Sequence, residues 1–481
     1  MRKGGGNEPL RPEQLQTIKE HKYASRGSSI SERYFQVLWC SLTPYIPKCI
    51  APNTLTLTGL IINSVSVLIL LYYSPDLKSE VPSWSLVLAA LCVFIYQTLD
   101  ALDGKHARQT NTVTPLGELF DHGCDAVASV FVPLCLCVTV GIGTHPLIVF
   151  IQFFTFLALF YMAHWQCYIT GYLEFGRLDV TEGQIGVMLA LLWTAIFGVG
   201  FWGNRVPIIG MPLKYVPFLV ISTVAIINIS HFFSIISQGG AGKAGTTVAN
   251  TSVLFPAFPF GLVLFLAIMV AVRSPLNLYT NHLVLFLITF GFVAVKVVLK
   301  LVVDHMSKSE MTLIDSVLVG PFALFFNQYF NCPIPESFVL WCCCILAVAD
   351  VLLYSSNVCM QLADYLNIYI FRVGKPPVIR VRESLQSQQQ RQLDVNVGFP
   401  SDPPTTSVLG GVHTSSSGLL PPHNYLYSPF FFPFPLLHFL FPQDLVLFCL
   451  LSVLDINAVR ELSPFATCGV TASLAFQLGV E

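Results

Sequence analysis

"LDALDGKHARQTNTVTPLGELFDHGCDA", residues 99–126, holds four aspartates, a glutamate, two histidines and an arginine between two strongly apolar stretches. Only 11% of the chain is charged, so this concentration of acid needs a physical reason. Its flanks give the first part of one. Runs of about 20 apolar residues are what a helix needs to cross the hydrocarbon core, because backbone polar groups must be bonded internally there.

Ten such runs are expected along the 481 residues, near 54–73, 84–99, 121–143, 146–165, 183–202, 216–236, 255–272, 283–301, 315–330 and 337–358. Pro321 and the shortness of the ninth also allow a re-entrant segment there. With 54% hydrophobic residues, 38 Phe and a mean hydropathy of +0.67, the composition is far from that of a soluble globular domain. The expected fold class is therefore an all-α polytopic membrane protein.

Eight basic residues, Arg2, Lys3, Arg11, Lys19, Lys22, Arg26, Arg33 and Lys48, precede the first run. The positive-inside rule places that segment, and with it the acidic stretch, on the cytosolic side. The first 28 residues are polar and lack the apolar core of a cleavable signal, so the first span is expected to direct insertion. A net charge of −2 without a basic stripe excludes a nucleic-acid footprint. Fourteen cysteines scattered through apolar runs, without paired CxxC spacing, support neither a zinc site nor a disulfide framework.

The expected organisation is a cytosolic N-terminal segment over 1–50, a transmembrane catalytic domain over 51–360 with active-site helices at about 84–143, a disordered cytosolic tail over 361–428, and an atypical apolar segment over 429–481. Residues 29–50 read either as an interfacial helix or as a plain lead-in. The loop "QGGAGKAGTT", 238–247, is not a phosphate-binding loop of the usual kind, because Ala244 stands where Ser or Thr must follow the lysine.

Helical geometry then organises the acids. Asp100 and Asp103 share one face of the second span, and Glu118, Asp121, His122 and Asp125 follow an i, i+3, i+4, i+7 pattern that confines them to an arc of about 100° on the next helix. Carboxylates facing each other across two helices cannot stay unpaired in a partly desolvated place. A hard divalent cation, Mg²⁺ or Mn²⁺, resolves that repulsion and in turn calls for a phosphate-bearing substrate.

The spacing Asp100-xx-Asp103-Gly104-xx-Ala107-Arg108, eight residues, Gly117-xxx-Asp121-xxx-Asp125 resembles, without a mismatch, the signature of the CDP-alcohol phosphotransferase family. "APNTLTLTGL" (51–60), "AHWQCYITG" (163–171), "FGRLDVTEGQI" (175–185) and "DHMSKSEM" (304–311) are similar to the eukaryotic choline/ethanolamine phosphotransferase branch. The resemblance implies transfer of phosphocholine or phosphoethanolamine from CDP-choline or CDP-ethanolamine to diacylglycerol, with release of CMP, as the last step of the CDP-choline pathway. It further implies two metal ions on Asp100, Asp103, Asp121 and Asp125, and CDP-alcohol contacts from Asn53, Gly104, Ala107, Arg108, Gly117 and Glu118. A homodimer in endoplasmic reticulum or Golgi membranes is part of the same expectation.

The family has often been read with its last aspartate, here Asp125, as the base; His122 is the preferred proton acceptor, since a metal-engaged carboxylate is a weak base. Two alternatives remain open on sequence grounds. Intramembrane prenyltransferases also bind a Mg²⁺-pyrophosphate through aspartate-rich helices, and a transporter can place acids along an ion pathway.

Overall fold

The computed structural model describes residues 10–207 and 210–374. Two short helices come first, α1 (Pro12–Glu20) and α2 (Glu32–Leu42), with the two-residue strand β1 (Ser25–Arg26) between them. Then follow α3 (Pro52–Tyr73), α4 (Ser83–Gln109), α5 (Pro115–Val140), α6 (Pro146–Thr170), α7 (Val180–Phe197), α8 (Val216–Ser237), α9 (Ala257–Arg273), α10 (Leu278–Asn281), α11 (Leu283–Ser307), α12 (Val319–Tyr329) and α13 (Glu336–Leu366). A second strand, β2 (Leu173–Glu174), pairs parallel with β1.

Each of the ten expected apolar stretches lies on a helix. Among the described residues eight helices, α3 to α8, α11 and α13, are long and apolar enough to cross a membrane. The chain is a multi-pass membrane protein. The other two stretches are α9, with 17 residues, and α12, with 11. At about 1.5 Å per residue α12 covers only some 17 Å, roughly half of a hydrocarbon core.

Local chemistry sets the ends. Proline at the first turn starts α3, α5 and α6, where its missing N–H costs no helical bond. The Thr114 hydroxyl caps α5 by accepting from the Gly117 N–H at 3.1 Å. Gly141 and Gly171, both at positive φ, end α5 and α6.

The most enclosed helices are α5 and α11, which pack on each other and on α6 and α13. Gly291 of α11 permits that approach: a Cβ there would lie 2.9 Å from Val130 and 3.0 Å from Phe153. By contrast α4 and α5, expected to face one another as neighbours, are held side by side through shared partners: beside the contacts of α5 with α11 and α6, both lean on α3 and α7. Those two helices act as spacers that keep a gap between the acidic faces.

Helices also occur near both limits of the described residues. Residues 12–20 form a docked helix with Leu15 and Ile18 buried, and residues 32–42 form the helix that was one of two readings for 29–50. The boundary expected at 360 falls inside α13, whose Leu362 and Ala363 are buried, so residues 361–366 continue a packed helix. The remainder of the expected tail beyond 374, including 429–481, lies outside the described residues. In the loop 238–247 the glycines serve its own turns, since a Cβ at Gly240 or Gly242 would strike backbone oxygens at 2.2 and 2.0 Å; Lys243 stays exposed.

Candidate active site

At 27 residues α4 is about 40 Å long, some 10 Å more than a hydrocarbon core. Its apolar part ends near residue 99, so the turns carrying Asp100 to Gln109 project toward one membrane surface. The first turns of α5 enter from that same surface, which brings Glu118, Asp121, His122 and Asp125 to the gap between the two helices.

The four aspartates meet there. Carboxylate oxygens of Asp100, Asp103 and Asp121 lie within 4.8 Å of one another, and ligand atoms of Asp121, His122 and Asp125 form a second group of the same size. Asp121 belongs to both. Two side chains orient the set: the Thr56 hydroxyl donates to Asp103 Oδ2, and the Tyr96 hydroxyl donates to Asp125 Oδ1 at 2.5 Å. Asp100 Oδ1 and Asp121 Oδ1 are buried and accept no hydrogen bond among the described residues.

Nearby cations do not neutralise this charge. Lys105 donates to the Ala101 carbonyl and lies over the Trp39 ring, and no ion pair joins any of the four aspartates to a lysine or arginine among the described residues. Buried, unpaired carboxylate oxygens are costly unless a cation is shared between them. The first group offers oxygen alone, and the second two carboxylates beside the His122 nitrogen; a set so dominated by carboxylates fits a hard divalent ion better than zinc or copper.

The remaining predicted residues lie on the same ends of α3, α4 and α5. Asn53, on the first turn of α3, donates to the Ile370 carbonyl at 3.1 Å, and its Oδ1 lies 3.7 Å from where a Gly117 Cβ would stand. A Cβ at Gly117 or Gly104 would meet nothing closer than 3.6 Å. Helix packing therefore does not require glycine at either place, since a methyl group there would make only ordinary contacts with polar side chains. Arg108 is exposed with its guanidinium folded back over Gly104, while Ala107 is half-buried one turn away.

Glu118 and His122 line a narrow cleft together with Tyr23, Ala24, His164, Cys167, Leu173, Val302 and His305. The His122 ring stands edge-on to His164 at 5.0 Å between centroids and 6.1 Å from the ring of Tyr23. Burial pushes the Tyr23 hydroxyl up to about 12, which keeps it a donor. Glu118 Oε1 is bonded to His21 Nε2 at 3.0 Å.

Several of these residues escaped the sequence reading. Tyr96 stands four and seven residues before Asp100 and Asp103, on their face of α4, and Thr56 one turn after Asn53 on α3, so helical periodicity could have found both although neither carries a charge. His21 and Tyr23 come from a segment with no motif. Polar side chains in the neighbouring stretches 163–171 and 175–185 have structural partners instead: Trp165 donates to the Val253 carbonyl, Tyr168 to that of Ser309, and Asp179 with Glu182 forms the capping box of α7.

Residues 49–216 match the family model described as CDP-alcohol phosphatidyltransferase. Cholinephosphotransferase 1 of Danio rerio is 47% identical over 367 residues, which is 76% of this chain and 96% of that protein. The chain belongs to the CDP-alcohol phosphotransferase family. The cholinephosphotransferases 1 of Xenopus laevis and Homo sapiens are 44% and 42% identical, over 80% and 79% of this chain and 96% and 95% of their own lengths. Family membership explains the match between signature and geometry, and family members depend in general on divalent metal. Neither the prenyltransferase nor the transporter reading is favoured.

Proposed function

We propose that this membrane protein transfers phosphocholine from CDP-choline to the hydroxyl of diacylglycerol, giving phosphatidylcholine and CMP. The observation that carries this reading is the facing set of four aspartates with unpaired buried oxygens, in a chain that aligns with cholinephosphotransferases over nearly their whole length. CDP-ethanolamine is the second donor to be compared. The active site faces the cytosol in endoplasmic reticulum or Golgi membranes, in keeping with the basic N-terminal segment.

Asp100, Asp103, Asp121 and Asp125 would hold two ions, with Asp121 common to both groups. Mg²⁺ or Mn²⁺ bound there would neutralise pyrophosphate charge and stabilise the departing CMP. Thr56 and Tyr96 keep two of the carboxylates in place. Gly104 and Gly117 leave room for the nucleotide, with Asn53, Ala107 and Arg108 at its edges.

His122 takes the proton from the lipid hydroxyl. The hydroxyl oxygen then bonds to the phosphocholine phosphorus as the bond from that phosphorus to the CMP oxygen breaks, and CMP leaves with the electron pair. Asp125 suits this role less well because one of its oxygens already accepts from Tyr96. Possession of a second copy of the chain as a homodimer partner belongs to the same proposal.

The test is direct. Purified protein given radiolabelled CDP-choline, diacylglycerol and Mg²⁺ should form labelled phospholipid, and chelation should stop it. His122→Ala should lose turnover yet keep metal-dependent CDP-choline binding, whereas Asp125→Asn should lose binding. Product from a prenyl diphosphate alone would overturn the function, and the reverse mutant pattern would move the base to Asp125.

A further inference from the structure

The N-terminal arm is tied into the structure at both ends. Leu10 exchanges backbone hydrogen bonds with the Gln361 side chain at 3.0 and 2.8 Å, and Gln14 donates to Ser309 at 2.8 Å. Leu15 and Ile18 of α1 are buried. Beyond α1, β1 pairs with β2, and Gly27 lies so close to Phe175 that a Cβ there would stand 2.3 Å from its carbonyl oxygen. His21 sits between these anchors, at the end of α1.

From that position His21 reaches 97 residues along the chain to Glu118, with Nε2 3.0 Å from Oε1. Both side chains are nearly enclosed, at 9% and 12% exposure. An ionised carboxylate only accepts hydrogen bonds, so the ring must present Nε2–H to it. The edge of the imidazole is set in turn by the His305 ring, 5.4 Å away in a T-shaped pair. Glu118 Oε2 has no hydrogen-bond partner among the described residues, and the residue lines the cleft beside His122.

We propose that His21 is a positioning residue: it holds Glu118 Oε1 so that Oε2 is presented to the CDP-alcohol. The inference rests on the functional reading above, which assigns Glu118 to that substrate. It makes the N-terminal arm a part of the substrate site, although the signature lies entirely on α4 and α5.

Four variants test it: His21→Leu, His21→Gln, Glu118→Gln and the double variant His21→Leu/Glu118→Gln. Turnover with CDP-choline and diacylglycerol and thermal unfolding are read for each. A hydrogen bond to a charged group is worth roughly tenfold or more, so His21→Leu should lower kcat/KM for CDP-choline by about that factor and leave the KM for diacylglycerol unchanged. His21→Gln retains an N–H donor and should stay within about threefold of the parent. The double variant should match Glu118→Gln, because the partner through which His21 acts is already altered.

An additional tenfold loss in the double variant, or a folded His21→Gln as impaired as His21→Leu, would overturn the assignment. If His21→Leu does not fold, His21→Gln decides. Wild-type turnover tests the functional reading by itself; should it be absent, non-additive losses of Tm in the same four proteins still report the coupling, and additive losses would refute it.

Discussion

Two charged clusters lie within the helical bundle, and they are built on opposite rules. On α11, buried Lys296 contacts Asp350 of α13 at 2.8 Å and Asp315 at 3.7 Å, while Lys300 meets Asp315 at 2.9 Å. Ser316 donates to Asp350, and the Lys296 ammonium lies 4.3 Å from the Tyr354 ring centre. Two bases meet two acids, and the donors find acceptors. Between α4 and α5, four aspartates meet no lysine or arginine, and two of their buried oxygens have no donor among the described residues. Ionisable groups are expensive in a membrane protein wherever they occur. The balanced cluster offsets that cost within the chain, whereas the unbalanced one leaves it standing, and this difference is the ground for proposing a structural tie in the one and a ligand site in the other.

The largest expected effect comes from breaking the unbalanced cluster. Asp121→Asn removes the carboxylate common to both groups and should reduce turnover on the order of 10²–10³-fold, measured as labelled phospholipid formed. Its Tm without metal should stay level or rise, since the change relieves repulsion. The balanced cluster should answer in the reverse sense: Lys296→Met leaves Asp350 without its base and Asp315 with Lys300 alone, and should cost about 3 kcal/mol of stability with turnover per folded molecule retained. Adding Asp350→Asn to Lys296→Met should recover part of the loss. A Lys296→Met protein with full stability and no turnover would erase the distinction between the clusters.

Much of the unbalanced cluster was legible in the sequence, because a helix converts spacing directly into shared faces. Asp100 and Asp103 on one helix and Asp121 and Asp125 on the next could be placed without coordinates. The spans were legible for the same reason: apolar length is nearly a one-dimensional property. What escaped depends on contacts between distant segments. The Tyr96 hydroxyl finds Asp125 only after α4 and α5 have settled on α3 and α7. His21 meets Glu118 only once α1 has docked. The balanced cluster was overlooked too, since Lys296, Lys300, Asp315 and Asp350 are isolated charges in sequence and become neighbours through the packing of α11 on α13. The spacing of α4 from α5 by other helices was likewise a tertiary fact.

The smallest expected effect concerns pH, and it probes the balanced cluster from its surface side. Burial by itself would raise the Asp315 carboxyl, but the Lys300 hydrogen bond, the Val317 N–H and the charges of Lys300 and Lys296 outweigh it and hold the group below its usual range. A carboxyl that is lower in the folded than in the unfolded chain adds stability that is fully present above the unfolded value, about 3.9, and is lost as pH falls through the folded one. The Tm contributed by this cluster should therefore be flat from neutral pH down to about 5, and should begin to fall near 4. In Asp315→Asn the protein should start from a lower Tm and show a shallower acid-side decline. An unchanged decline in that variant would mean that other carboxylates govern acid unfolding, and that the balance struck around Lys296 contributes little to holding α11 against α13.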